Sequence, residues 1–209
     1  MTLSPDAVFD TLTITKELSV VSGGATEGEI SLFAYLSCLL SVYEGNPPSE
    51  WGYQFSATHS AAPYSESLAS AVEELKISSL LVESPSGLQL SNGGLEEWHQ
   101  YASLGRFQAR MPYLTGACGS TLVMPLPAVG ESISAEPSLR RALELSSKRE
   151  LLGEGGRETL MEHFRAVSEA VPEADDLMIP AVVWLEYLST TLDGVGKIRP
   201  SEEADDWAV

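Results

Sequence analysis

Three histidines and two cysteines are the side chains best suited to hold a metal or act as nucleophiles, and their spacing argues against both. His59, His99 and His163 stand far apart, and none has ligand spacing to Cys38 or Cys118. Each is read as an ordinary surface or half-buried histidine. Cys38 and Cys118 sit in apolar or Gly-rich surroundings without paired spacing, so buried free thiols in a reducing compartment are expected. The run Thr115-Gly-Ala-Cys-Gly-Ser-Thr121 has the glycine content of a phosphate loop. It lacks the lysine that would reach the phosphates, and no clear strand feeds it, so a Gly-rich turn is the simpler reading. No Gly-x-Ser-x-Gly elbow occurs, which leaves Ser120 without a case as a nucleophile. Carboxylates are plentiful, yet pairs such as Glu73-Glu74 and Glu96-Glu97 fall on predicted solvent faces. No residue is named as catalytic, no cofactor or metal is expected, and the chain is read as a non-enzyme that works by binding.

Charge restricts what it could bind. The 209 residues carry a formal charge of −18. Residues 1–105 hold 2 basic and 13 acidic side chains, residues 106–165 hold 8 and 7, and residues 166–209 hold 2 and 10. A surface this acidic repels a polyanion, so direct DNA binding by the isolated chain is disfavoured. The positive charge is concentrated in Arg106, Arg110, Arg140, Arg141, Lys148, Arg149, Arg157 and Arg165. If nucleic acid is touched at all, Arg106, Arg110, Arg140 and Arg141 are the candidates, within a complex; the plainer alternative places them on exposed helix faces.

The elements that must position these residues are organised around residues 51–95. Ser65 is placed to cap a helix, its hydroxyl accepting from the freed N–H groups of the first turn, and Leu68, Val72 and Leu75 follow as one buried stripe. Leu80-Leu81-Val82 reads as a strand, Ser84-Pro85-Ser86-Gly87 as a turn, and Leu88 and Leu90 as the returning strand. A helix followed by a short hairpin is the sequence form of a winged helix. On its exposed positions this helix carries Glu66, Ser67, Ser70, Glu73 and Glu74 with Lys76 alone basic, a surface that would push phosphate away.

Upstream, residues 5–19 read as a helix with Ser4 as cap and Pro5 at the first position. Val8, Leu12 and Leu18 point inward, against the weakening effect of Thr11, Thr13 and Thr15. A second helix, about Glu27 to Glu44, opens on a capping box of Thr26 and Glu29 and is apolar nearly all round, as in a domain centre or an interface. A further helix resumes near Leu95 with Trp98 and Tyr101. Residues 111–130, broken by Pro112, Gly116, Gly119, Pro125, Pro127 and Gly130, read as a connecting loop with one short strand, Thr121-Leu122-Val123-Met124. Beyond it, helices are expected over Ser138–Leu151, with a Glu144–Lys148 ion pair, over Gly156–Ala170 and over Leu177–Leu192. Residues 194–209 read as an acidic tail.

The fold expected is therefore α+β and mostly α-helical: a winged-helix-like part over 1–110, the connector, and a helical subdomain over 131–193. Trp184, Tyr187 and Leu188, with Tyr64 and Trp98, are the candidate partner-contacting residues. Met1 is followed by Thr2-Leu3-Ser4-Pro5-Asp6 without a basic region, so no signal peptide is expected. The longest apolar run, Ile30 to Tyr43, falls short of the about 20 residues that cross a bilayer. A cytoplasmic protein without membrane contact is the expectation.

One resemblance adds to this. Tyr53-Gln-Phe55, Ala62-Pro63-Tyr64-Ser65, Leu68, Ala71-Val72, Leu75, Leu80-Leu81 and Leu88, Leu90 and Ser91 with Gly93 or Gly94 form a hydrophobic signature. It resembles that of the middle-component proteins of bacterial ABC three-component systems, of which Lamassu-type anti-phage defence is an example. A related pattern, Gly-Pro-Tyr-Ser before a helix, marks the Panacea-type antitoxin domain; Ala62 stands here where that pattern has glycine, which leaves both families open. The resemblance is confined to residues 51–95 and is built mostly from core positions. It implies a non-catalytic accessory subunit that binds an SMC-like ABC ATPase beside an effector nuclease, with DNA met only indirectly. An antitoxin that neutralises a toxin enzyme by binding it is the second reading, and a winged-helix transcription regulator the third.

Overall fold

A computed structural model describes residues 3–58, 60, 62–144, 151–152, 154–172 and 176–195. The Glu144–Lys148 pair, His59 and residues 196–209 of the expected tail therefore lie, in whole or part, outside the described residues. Among the described residues the protein is mostly helical, with two small antiparallel strand pairs.

Helix α1 (Pro5–Ser22) starts where the Ser4 hydroxyl accepts from Ala7 N–H and ends at Gly23, which adopts a left-handed conformation. It is buried over most of its circumference, the threonines and Asp6 and Asp10 included. Thr11 meets the burial by donating to the Ala7 carbonyl one turn back, at 2.7 Å. Helix α2 (Glu27–Tyr43) opens on the expected capping box: Glu29 N–H donates to Thr26 Oγ1 and Thr26 N–H to Glu29 Oε2. Its apolar circumference is spent inside, with Phe33, Tyr35, Leu36 and Leu39 fully buried.

After α2, a short 3-10 turn (Pro48–Trp51) leads to strands β1 (Ser56–Ala57) and β2 (Pro63–Tyr64), which pair with each other. Helix α3 (Glu66–Ile77) then buries Leu68, Ala71, Val72 and Leu75, the expected stripe. Ser65 occupies its cap position, but the hydroxyl makes no capping bond and lies buried without a partner. The backbone geometry of a cap was readable; the direction of its side chain was not.

Strands β3 (Leu81–Ser84) and β4 (Gly87–Leu90) form the expected hairpin, with Leu81 opposite Leu90 and Ser84 opposite Gly87. Ala25, between α1 and α2, bridges to Leu88 by two backbone hydrogen bonds of 2.9 and 2.8 Å. Gly87 is required here: its φ is +118°, and a Cβ would stand 2.8 Å from the Ala25 carbonyl oxygen. Helix α4 (Asn92–Ala102) follows, capped by the Ser91 hydroxyl accepting from Gly94 N–H.

Residues 111–130 are not a loop. They form helices α6 (Met111–Gly119) and α7 (Leu126–Ser134), after a short α5 (Gly105–Gln108) and with a 3-10 turn (Ser120–Leu122) between them. The expected strand at Thr121–Met124 is that turn. Pro112 and Pro127 fall in the first turns of their helices, where a missing N–H costs nothing. Gly116 is there for close packing, because a Cβ would come within 2.8 Å of the Leu177 side chain. Helix α6 packs against α1 and α2 and supplies Leu114, Ala117 and Cys118 to the core.

Three further helices follow among the described residues: α8 (Pro137–Glu144), α9 (Glu154–Ala170) and α10 (Met178–Val195). The last begins against α6 and takes in Gly194 and Val195, which the sequence assigned to the tail. Residues from both sides of the expected connector share one buried core.

Candidate interaction surface

The five residues expected to contact a partner are not brought together. Trp184 and Leu188 are buried, Trp184 packing its ring against Phe164 at 5.3 Å, so both are core residues and not contact residues. The apolar run of α10 hid the distinction, since a buried and an exposed apolar position read alike. Tyr187 is exposed and meets His163 edge-on, with ring centres 4.9 Å apart. Tyr64 is half-buried in β2. Trp98 is half-buried and engaged internally, its Nε1 donating to Thr13 Oγ1 at 3.0 Å and Lys16 Nζ lying 4.5 Å from its ring centre.

The arginines divide in the same way. Arg110 is internal and is no nucleic-acid contact. Its guanidinium donates twice to the Asp10 carboxylate, Nε and Nη2 each at 2.6 Å, and stacks on Trp51 with 3.4 Å to the ring centre. The Tyr53 hydroxyl donates to the same carboxylate. Burial raises the Asp10 pKa, against the lowering by Arg110 and by the hydrogen bonds from Arg110 and Tyr53. Burial works to lower the Arg110 pKa, but the Asp10 charge and hydrogen bonds outweigh it and leave it raised. Arg106, on the exposed end of the same cluster, pairs with buried Asp6. Together they line a polar cleft of about 230 Å³ with Asn46, Glu50 and Tyr113. Both arginines in it already face carboxylates, which suits holding α1 to α5 and α6 better than taking a ligand. Arg140 and Arg141 are exposed on α8, Arg140 reaching Glu144 at 3.3 Å.

A further buried carboxylate, Glu136, was equally invisible in the sequence. Glu136 accepts from the N–H groups of Ser138 and Leu139 at the start of α8, and from the Tyr35 hydroxyl at 3.0 Å. Burial raises its pKa above the ordinary carboxylate value, against those donors. The folded state therefore holds this proton more tightly than the unfolded chain does, and the resulting stability declines as pH rises through the folded pKa. Glu136→Gln keeps an acceptor but removes the titration. The unfolding free energy of the natural chain minus that of Glu136→Gln is expected to be more favourable at pH 5 than at pH 7.5, as read from urea midpoints. Equal differences at both pH values would contradict it.

Cys38 and Cys118 are buried free thiols, and burial pushes both pKa values up, away from reactivity. The Gly-rich run from Thr115 lies in α6 and the turn after it, where Ser120 donates to the Ala117 carbonyl. Its N–H groups are not splayed to cradle a phosphate. Among the described residues, no group of His, Cys, Asp and Glu has a metal-binding arrangement.

Two surfaces stand out among the described residues. One is acidic. Glu66, Glu73 and Glu74 are exposed on α3 and Glu83 on β3, with Glu27 at the start of α2. Lys76 is the one basic residue of α3, and its ammonium lies 3.2 Å from Glu83 and 3.6 Å from each of Glu73 and Glu27. The hydrogen bond to Glu83 leads in raising the Lys76 pKa. Three carboxylates thus share one cation and the face remains negative, with exposed Ile77 and Val82 among them. The other surface is an apolar groove of about 300 Å³ between the end of α1, the turn after α6 and the start of α10. No helix among the described residues is long and apolar enough to cross a membrane. Comparison of the chain with protein-family models, with curated proteins and with solved structures gives no match.

Proposed function

We propose that this chain is a non-catalytic accessory subunit that docks on a basic protein partner, in a defence complex built on an SMC-like ABC ATPase with an effector nuclease. The N-terminal part is a winged helix in this reading. Its support is the chain order: helix α1, the Ala25 bridge, helices α2 and α3, then the β3–β4 hairpin to which Ala25 pairs. In DNA-reading versions of that arrangement, the helix before the hairpin presents cations to phosphate. The observation that carries the proposal is the opposite charge in that place, with Glu66, Glu73, Glu74 and Glu83 exposed and the lone lysine already shared among carboxylates. Such a face is repelled by DNA and attracted to a lysine- and arginine-rich protein surface.

The test is recovery of companions with the tagged chain expressed from its native operon. A large ATPase with heptad repeats is expected. Changing Glu73, Glu74 and Glu83 together to lysine is expected to lower its recovery at least about tenfold, because like charges across an interface cost several kcal/mol. A single small toxin in place of the ATPase would make the chain an antitoxin. Tight duplex binding by the natural chain at moderate salt would make it a transcription regulator. Recovery unaffected by the three substitutions would remove the acidic face from the interface.

A further inference from the structure

The last turn of α1 breaks the pattern of the rest of the helix. Val20 and Val21 are 84% and 46% exposed, on a helix otherwise buried on nearly every side. Leu122, 74% exposed, is carried to the same place by the turn after α6, and the three share a groove with Met178 at the start of α10. Val123 and Ile179, next in the chain to two of these, are exposed as well. Clustered aliphatic side chains at this exposure mark an interaction site more often than scattered ones do.

The charges around the groove say what kind of partner fits. Its charged lining residues are Glu17 and Asp176. The last turn of α1 carries no basic residue, so the partial negative charge of that helix end is unopposed from within the helix. Lys16 is the nearest cation in sequence; it is held by Glu17 at 2.8 Å and by the Trp98 ring. A second copy of the chain is a poor occupant, because it would set two molecules of formal charge −18 face to face. At about 300 Å³ the groove is at the small end of ligand pockets, which start near about 300 Å³. It suits a few aliphatic side chains spaced along one helix face.

We infer that this groove receives an amphipathic helix of the partner, leucine-like residues inward and lysine or arginine along its flanks. The inference rests on the reading of the chain as an interaction subunit and adds a second contact, distinct from the acidic face of α3 and β3. Strand β4 connects the two regions: the Gln89 side chain donates to the Gly23 carbonyl, two residues after Val21.

The probe is a synthetic amphipathic helix of leucine and lysine, titrated into the full chain labelled with carbon-13 at valine and leucine methyls. The Val20, Val21 and Leu122 methyl resonances are expected to shift and saturate. The double variant Val20→Gln, Leu122→Gln, which removes the aliphatic contacts without adding charge, is expected to weaken binding at least tenfold with its melting temperature unchanged, since both side chains are exposed. The triple lysine variant of the α3 and β3 face is expected to weaken it less. Shifts confined to other methyls, equal binding of a leucine and glutamate peptide, or no binding would overturn the inference. So would concentration-dependent self-association that moves these same methyls, which would make the occupant a second copy. If the operon partner is still recovered in full with the double variant, the groove proposal falls and the accessory-subunit reading stands.

Discussion

Arg110→Met is expected to cost about 3–5 kcal/mol of unfolding free energy at neutral pH, the range for removing one partner of a buried ion pair. The Asp10 carboxylate is fully buried, and Arg110 donates two hydrogen bonds to it from a side chain only 9% exposed. Without the guanidinium, Tyr53 is the remaining side-chain donor to that carboxylate, too little to hold an ion out of water. Asp10 would then take up a proton on folding. With its folded pKa raised further above the unfolded value, the variant recovers stability as pH falls and loses it as pH rises through that pKa. Lysine at 110 is not a conservative replacement, because a single ammonium cannot match two carboxylate oxygens and stack on Trp51 at once. The double variant Asp10→Asn, Arg110→Met is expected to regain at least half the loss, since an amide needs no counter-charge. Urea unfolding of the four proteins of this cycle measures the coupling. A loss under about 1 kcal/mol in Arg110→Met would mean that the pair does not hold α1 to α6.

Trp184→Ala is expected to cost about 3–5 kcal/mol, the usual figure for deleting a large aromatic side chain from a core. The Trp184 ring is 1% exposed and packs on Phe164, which in turn stacks edge-on with Tyr43 of α2 at 5.6 Å. Removing it opens a cavity where α9 and α10 meet, next to a helix from the other half of the chain. Tyr187→Ala, three residues on, is expected to cost less than about 1 kcal/mol, because the ring is 43% exposed and loses mainly its contact with His163. The two substitutions together separate core from surface on one helix. If Tyr187→Ala proved the more damaging, the face of α10 that meets the core would be assigned wrongly.

Local signals in the sequence located most elements. Ser4 with Pro5 and Thr26 with Glu29 mark helix starts that the structure has at those residues, whereas the helix expected near Leu95 begins at Asn92, capped by Ser91. The turn at Ser84 to Gly87 and the alternation of Leu88 and Leu90 located the hairpin. These succeed because a cap or a turn is decided by hydrogen bonds spanning three or four residues. Residues 111–130 failed for a related reason. Glycine and proline interrupt helices on average, but proline in a first turn and glycine against a neighbouring helix both favour what is found. Which of these applies depends on Leu177, more than sixty residues after Gly116.

Apolar periodicity and charge alone therefore determined a mostly helical protein with a helix–hairpin centre and an acidic face. Tertiary structure decided the rest. Asp10 and Arg110 are 100 residues apart, and neither one's surroundings in sequence announce the other. Trp184 and Tyr187 read alike until α9 covers the first, and Val20 reads like Val8 until the fold leaves it uncovered. A residue's type sets what it can do, but burial and pairing are set by distant elements, and the free energy of a buried charge or an exposed aliphatic patch exists only once those elements meet.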